Sequence, residues 1–252
     1  MNGSTKSGVV GFNPEQVRKL LGLIARAYEF ETSNMDSLFY CFPNAMEGID
    51  LGDLTGKASA GWFSPEAKRF CEDVLTPAEM TAFKKVYETY ASVYDSVIAA
   101  AKKWDATTGN TNAYPEWPFY NHRHSGYGDI ITVPDSKNGN VGIDPKIIDH
   151  VKTIYTKCRN TLVGSFDTIF GQIKQEGAFL GADQHAQLLA KINSAHSLTL
   201  EKSDEVYNIA LREMNAAVAK YQMIAKQVAG SFSGSPSAGV AGSTSNSFNT
   251  IK

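Results

Sequence analysis

Apolar residues recur at steps of three and four near the start of the chain, a spacing typical of one face of an amphipathic helix. Asn13 precedes the series as a good N-cap, and Pro14 suits the first helical position. The pattern predicts a helix that begins at residue 13 and ends between residues 40 and 43. Its predicted buried face contains Val17, Leu20, Leu21, Ile24, Tyr28, Met35 and Leu38.

A second helical region follows a Gly- and Asp-rich segment, residues 43–61, which we interpret as a loop. Ser64-Pro65 predicts the start of a short helix, and Thr76-Pro77-Ala78-Glu79 is a capping box that predicts a restart or a bend. From residue 83 the apolar positions repeat every seven residues, as in a coiled-coil seam. The two heptad series are Phe83, Tyr90, Val97, Trp104 and Val86, Val93, Ala100.

The second half of the chain shows the same order of elements. Asp144-Pro145 predicts the start of a third helix, and a break follows at residues 177–181. The last helix is predicted from about residue 183 to residue 229, again with heptads. Its two series are Tyr207, Met214, Tyr221, Val228 and Ala210, Ala217, Ile224.

A short motif before the first helix recurs before the third. Val-Gly-Phe-Asn-Pro at residues 10–14 matches Val-Gly-Ile-Asp-Pro at residues 141–145, with an offset of 131 residues. We interpret this as a duplication that gives two helical hairpins, residues 13–105 and 141–229. Since one hairpin exposes its apolar stripe, two hairpins can bury their stripes against each other. The predicted fold class is therefore all-α, an antiparallel four-helix bundle built from two helical hairpins.

The segment between the hairpins, residues 106–140, breaks the helical pattern. It contains the aromatic and proline-rich run at residues 114–120, followed by Ile130–Val133 and an Asn138-Gly139 pair that together suggest a small β-hairpin. Clustered aromatic residues anchor many interfaces, so Trp117, Phe119 and Tyr120 are candidate partner-binding residues. The alternative, which we favour, is that the run packs on the bundle.

The two ends of the chain have compositions that disfavour a packed core. Residues 1–12 are rich in Gly and Ser and are predicted to be flexible, and residues 230–252 are predicted to be a disordered tail. The chain has three cysteines, Cys41, Cys71 and Cys158. Cys41 and Cys71 flank one loop, and whether they pair in an oxidising compartment stays open.

Charge and motif content point away from several function classes. The 24 basic and 26 acidic residues leave a net charge of -2, so a nucleic-acid partner is not expected. His122 and His124 lack a third ligand at suitable spacing, and we predict no metal site and no cofactor. Phosphate-loop, dinucleotide and nucleophile-elbow motifs are absent from the sequence, so we predict that the protein is not an enzyme.

One stretch resembles a known family. Gly61-Trp62-Phe63-Ser64-Pro65-Glu66-Ala67-Lys68-Arg69-Phe70, together with the opening Val-Gly-Phe-Asn-Pro, is similar to the WXG (Trp-x-Gly, ESX-type) superfamily of type VII secretion substrates. That resemblance implies helical hairpins that pair into four-helix bundles, here as a tandem member. It marks Trp62, Ser64 and Phe70 as candidate contacts for a partner or the secretion machinery.

The chain also departs from the pattern of that family. Ser64 stands where the family has Gly, and the second copy has Phe179-Leu180-Gly181 without the Trp. None of the tyrosines starts the family's Tyr-x-x-x-Asp/Glu export signal.

The expected function is a non-enzymatic, secreted helical interaction protein of a type VII secretion system. Its partners would be the secretion machinery or a co-secreted helical protein, with the chain itself a monomer or homodimer. The resemblance implies synthesis in the bacterial cytoplasm and a secreted or cell-surface location without a cleavable signal peptide. Two alternatives stay open, an α-helical pore-forming toxin component, which would contact a membrane, and a cytosolic helical adaptor.

Overall fold

The computed structural model describes residues 12–47, 61–123, 130–136, 139 and 141–233, and over these residues the protein is an all-α bundle. Its helices are α1 (Pro14–Met46), α2 (Pro65–Phe70), α3 (Thr76–Thr108), α4 (Ile147–Glu176) and α5 (Ala182–Ser233). Two short strands, β1 (Trp62–Phe63) and β2 (Gly142–Ile143), pair antiparallel. The predicted all-α four-helix class is confirmed.

The four long helices bury their apolar stripes against one another. In the bundle, α1 packs most extensively against α4 and also against α3, and α5 packs against α3 and α4. Each hairpin therefore covers the stripe of the other. The fully buried side chains come from both sides of this interface and include Leu20, Leu21, Ile24, Tyr28, Tyr90, Val151, Ile173 and Ile192.

Helix α1 begins as predicted but ends later than predicted. The Asn13 side chain accepts a hydrogen bond from the Glu15 amide at 2.9 Å, so it is the N-cap. The helix then continues through Pro43 to Met46. Because Phe42, Ala45 and Met46 are fully buried, the packing of this last turn offsets the hydrogen bond that Pro43 cannot make.

Helix α3 begins at Thr76, where the Thr76–Glu79 motif predicts a restart or a bend. Residues Cys71–Leu75 form a π-helical turn that joins α2 to α3, and the Thr76 amide bonds to the Cys71 carbonyl. Leu75, immediately before α3, makes no side-chain cap. A wider turn at this place accommodates Pro77, which has no N–H to continue the regular α-helical ladder.

Residues 110–123 and 130–133 form what we call the strap, which runs back along the bundle between α1 and α3. The Arg18 guanidinium donates to the Ala113 carbonyl at 3.2 Å, and the Tyr94 hydroxyl donates to the Pro115 carbonyl at 3.2 Å. Farther along, the Ile131 amide donates to Thr76 Oγ1 at 2.9 Å. The strap thus follows almost the whole length of α3.

The predicted β-hairpin within the insertion is wrong at Ile130–Val133. These residues belong to no strand, since their described backbone contact is with the Thr76 side chain rather than with a neighbouring strand. Ile131 and Val133 are buried against the bundle. Asn138, in the proposed turn, lies outside the described residues.

Two predicted boundaries at the chain ends are also wrong. Phe12 is packed rather than loose, with its ring 5.6 Å from Trp104 and 5.5 Å from Phe179. Helix α5 continues to Ser233, so residues 230–233 are helical. The predictions for residues 1–11, for the loop at residues 48–60 and for the tail at residues 234–252 concern parts of the chain outside the described residues.

We predict that Thr76→Val weakens the bundle by detaching the strap. Thr76 is 5% exposed, and its hydroxyl is the acceptor for the buried Ile131 amide. Leaving that amide without an acceptor should cost about 1–3 kcal/mol in the free energy of unfolding. Urea unfolding followed by circular dichroism measures the change.

The matched control for that measurement is Thr81→Val. Thr81 is exposed on the same helix, and its hydroxyl bonds only to the Pro77 carbonyl one turn back, at 2.7 Å. This change should stay within about 0.5 kcal/mol of the wild type. Equal losses for the two variants would show that the contact with Ile131 contributes nothing.

Candidate interaction surface

Trp62, Ser64 and Phe70 lie together at one end of the bundle, and all three are buried. Trp62 sits in β1 opposite Ile143, and the Asp144 amide donates to the Gly61 carbonyl at 2.9 Å. The Trp62 ring is fully buried, with its centre 6.4 Å from that of Phe70. These residues close the bundle end, and their contact with a partner stays a prediction.

Ser64 is buried because it caps the start of α2. Its hydroxyl accepts a hydrogen bond from the Ala67 amide at 3.1 Å and so caps α2 at the N-terminus. Phe70, at the end of α2, packs its ring 6.2 Å from Phe42 of α1. The short helix therefore fixes the two halves of the first hairpin at the end that carries Trp62.

The aromatic run of the insertion packs mainly inward, the alternative favoured from the sequence. The rings of Trp117 and Phe119 lie 5.2 and 4.8 Å from the ring of the fully buried Tyr28. Tyr28 also hydrogen-bonds to His122 Nδ1 at 2.8 Å. Tyr120 differs, because 60% of its surface is exposed, so it is the member of the three candidates that reaches solvent.

Helix α5 extends beyond the bundle, and its seven-residue repeat of apolar residues continues into the part that extends. Ala210, Met214 and Ala217 are buried, but one heptad farther on Ile224 is 39% exposed and Val228 is 51% exposed. Met223, directly before Ile224, is 54% exposed. We call residues 222–228 the overhang. The seam pattern that fills the core up to Ala217 therefore continues into solvent.

The base of the overhang is tied to the end of the bundle that contains Trp62. Lys220 Nζ lies 2.5 Å from Glu66 Oε1, which joins α5 to α2. The hydrogen bond from Lys220 is the main reason that the pKa of Glu66 falls from its ordinary 4.5 to about 2. The candidate residues named from the Trp62 motif and the exposed heptads of α5 thus lie at the same end.

The overhang carries positive charge and no negative charge. Lys226 is its charged residue, and no Asp or Glu follows Glu213 in the chain. An exposed apolar stripe with a nearby positive charge is complementary to an apolar partner surface that carries carboxylates.

A buried polar cluster lies inside the bundle, and the sequence analysis did not identify it. His196 Nδ1 of α5 donates to the two carboxylate oxygens of Glu31 of α1 at 3.1 and 3.0 Å. Their side chains are 7% and 1% exposed. The Phe166 ring of α4 stacks on the imidazole, with ring centres 3.7 Å apart.

Tyr90 of α3 lies near this polar cluster and Phe166 of α4 stacks on it, so that residues of all four long helices surround the Glu31–His196 pair. Burial raises the pKa of the Tyr90 hydroxyl well above its usual value, and the negative charge of Glu31 raises it further. A signal for this cluster was present in the sequence. Glu31 falls at the helical step between the apolar positions Tyr28 and Met35, and His196 falls between Ile192 and Thr199.

Other kinds of site find less support in the part of the chain that the structure describes. No group of three or more His, Cys, Asp or Glu residues there could hold a metal ion. None of the described helices combines the length and apolar character that crossing a membrane requires. A cleft of about 200 Å³ between α3 and α5 is lined mainly by aliphatic side chains, among them Val93, Val97, Leu180 and Leu188.

Comparisons with known proteins return no match, whether against protein-family models, curated proteins or solved structures. The class of the protein, a four-helix bundle with an extended last helix, is therefore defined by its own structure. The resemblance to the WXG superfamily depends on the residues quoted for it and on nothing else.

We predict that His196→Leu destabilises the bundle by about 3–5 kcal/mol at neutral pH, because the Glu31 carboxylate stays buried without its donor. The double variant Glu31→Leu, His196→Leu should recover most of that loss, since an apolar pair replaces the polar one. Urea unfolding of the wild type, the two single variants and the double variant measures the coupling. Additive losses would contradict a direct interaction between the two side chains.

We also predict an acid-dependent contribution from the Glu66–Lys220 pair. Because the pKa of Glu66 is about 2 in the folded state against an ordinary 4.5, its contribution is complete above pH 4.5 and is lost as the pH falls toward 2. The difference in stability between the wild type and Glu66→Gln should shrink over that range. A difference that stays constant from pH 6 to pH 2 would contradict the contact.

Proposed function

We propose that this protein is a non-enzymatic helical interaction protein of a type VII, WXG-like secretion system, and that it binds a protein partner through the overhang of α5. The observation that carries this proposal is the continuation of the α5 heptads beyond the bundle. Ile224 and Val228 keep the spacing of buried seam residues while being 39% and 51% exposed.

A helix presented in this way suits a common mode of recognition. Amphipathic helices bind grooves through anchors spaced by three, four and seven residues, and Tyr221, Ile224 and Val228 have that spacing. Helix α5 has 52 residues, which corresponds to about 78 Å. Its N-terminal part is held by the bundle, so the overhang is presented in a defined direction and less ordering is required when it binds.

The resemblance supports the choice of secretion among the possible roles of a partner-binding helix. In that family the Trp turn helps to form a surface that the secretion motor contacts. Here the Trp62 end and the overhang are neighbours, through the Glu66–Lys220 pair. We propose that the chain is made in a bacterial cytoplasm and exported through the type VII machinery.

The proposal predicts that Ile224→Ser, Val228→Ser reduces export. Loss of two interface anchors of about 1–2 kcal/mol each should lower the amount of protein in the medium by at least about tenfold. The assay is a blot of medium and cell fractions from a bacterial host with a type VII system, in parallel with the same host lacking the motor ATPase.

The matched control is Lys102→Ser, Lys103→Ser, which changes two exposed residues on α3, away from the overhang. All three proteins should reach equal levels in the cells and show the same melting temperature. Export of the overhang variant at the level of the control would overturn the role of the overhang. Export that persists without the motor would overturn the type VII assignment.

A further inference from the structure

Two of the three cysteines meet across the interface between the hairpins, in a pairing that the sequence did not suggest. Cys41 lies on α1 and Cys158 lies on α4, and the packing of these two helices places the two residues next to each other, close enough for each thiol to shift the pKa of the other. Cys71 lies elsewhere, with its sulfur 3.7 Å from that of Met46. All three are free thiols in this structure.

The register of α1 and α4 explains why Cys41 and Cys158 are neighbours. The two helices are antiparallel, with Lys19 bonded to Glu176 at one end at 2.7 Å. At the other end the Phe42 ring lies 5.7 Å from the Tyr155 ring. Cys41 directly precedes Phe42, and Cys158 lies one turn beyond Tyr155 on the same face of α4. The thiols therefore belong to the most extensive helix–helix contact of the bundle.

The surroundings of the two thiols differ in a way that favours reaction at Cys158. Cys41 is fully buried. Cys158 is half-buried and so within reach of a small reagent. The hydrogen bond from Cys41, with the charge of Lys157, lowers the pKa of Cys158 to about 7, which increases its thiolate fraction at neutral pH.

We propose that Cys41 and Cys158 form a disulfide bond that joins the two hairpins when the protein meets an oxidising compartment. The oxidant is a low-molecular-weight disulfide such as oxidised glutathione. The Cys158 thiolate attacks one sulfur of the oxidant, which forms a mixed disulfide and releases one glutathione thiolate. Cys41 then loses its proton and attacks the Cys158 sulfur, which releases the second glutathione. Two protein thiols are oxidised, and one glutathione disulfide is reduced to two thiols.

This bond would stabilise the pairing of the hairpins. It would link residues that are far apart in sequence and so restrict the unfolded chain. Because it would join the first hairpin to the second, it would also keep the hairpins from separating. This inference is independent of the overhang and of the secretion proposal, since it depends only on the packing of α1 against α4.

The test incubates the folded, full-length protein with oxidised glutathione, blocks the remaining thiols, and identifies the products by intact mass and peptide mapping. The expected product has lost two hydrogens and yields a peptide pair linked through Cys41 and Cys158. Its melting temperature should rise by roughly 5–15 °C over the reduced protein, as a closed loop of this length implies. Cys71→Ala should give the same link.

Two variants make the result decisive. Cys158→Ser should give no internal link, and Cys41→Ser should stop at the stage of a glutathione adduct on Cys158. Unreacted thiols in the wild type, a stable glutathione adduct there, a link between Cys41 and Cys71, or links only between molecules would each overturn the proposal.

Discussion

Each hairpin of this protein carries an apolar stripe along its helices, and neither hairpin can bury that stripe alone. The packing of α1 against α4 resolves this constraint, because it joins the first helix of one hairpin to the first helix of the other. The other features of the bundle follow from this contact. The β1–β2 pairing and the Asp144–Gly61 hydrogen bond close one end, and Phe12, Trp104 and Phe179 meet at the other.

The cluster of Glu31, His196, Tyr90 and Phe166 adds specificity to a core that consists mainly of apolar side chains. Apolar seams tolerate a shift by one heptad, because the same kinds of side chain would still face each other. A buried carboxylate tolerates no such shift, since it would lose the donor that offsets its desolvation. We infer that the Glu31–His196 contact fixes the axial position of α5 relative to α1. That position determines how much of α5 extends beyond the bundle as the overhang.

Local signals in the sequence predicted the elements well, and contacts between distant residues explain what they missed. The cap at Asn13, the heptads of α3 and α5 and the break at residues 177–181 act within a few turns, and each could be recognised from spacing. The Thr76 side chain bonds to Ile131, which lies 55 residues farther along. The same holds for the strap, whose path depends on Tyr28 and Tyr94. No spacing rule connects such positions.

For the candidate site too, the sequence predicted the local patterns but not the contacts between distant residues. The sequence located the Trp62 motif and the heptads of α5, but it gave no sign that the bundle ends near residue 217 while the heptads continue. It left open whether Cys41 pairs with Cys71, whereas the neighbour of Cys41 is Cys158 on the opposite hairpin. The position of a residue relative to the end of a bundle depends on the lengths of all four helices. Such information is not contained in any one helix.

Helix α5 leaves the bundle while keeping the spacing of a buried seam. Hydrogen–deuterium exchange of the free protein at low micromolar concentration, with peptide resolution along α5, tests it most directly. We expect slow exchange for the amides of residues 192–217 and much faster exchange for those of residues 222–228, because few tertiary contacts oppose local opening there. Equal protection of the two segments would show that these heptads are already buried in the free protein and that α5 does not leave the bundle.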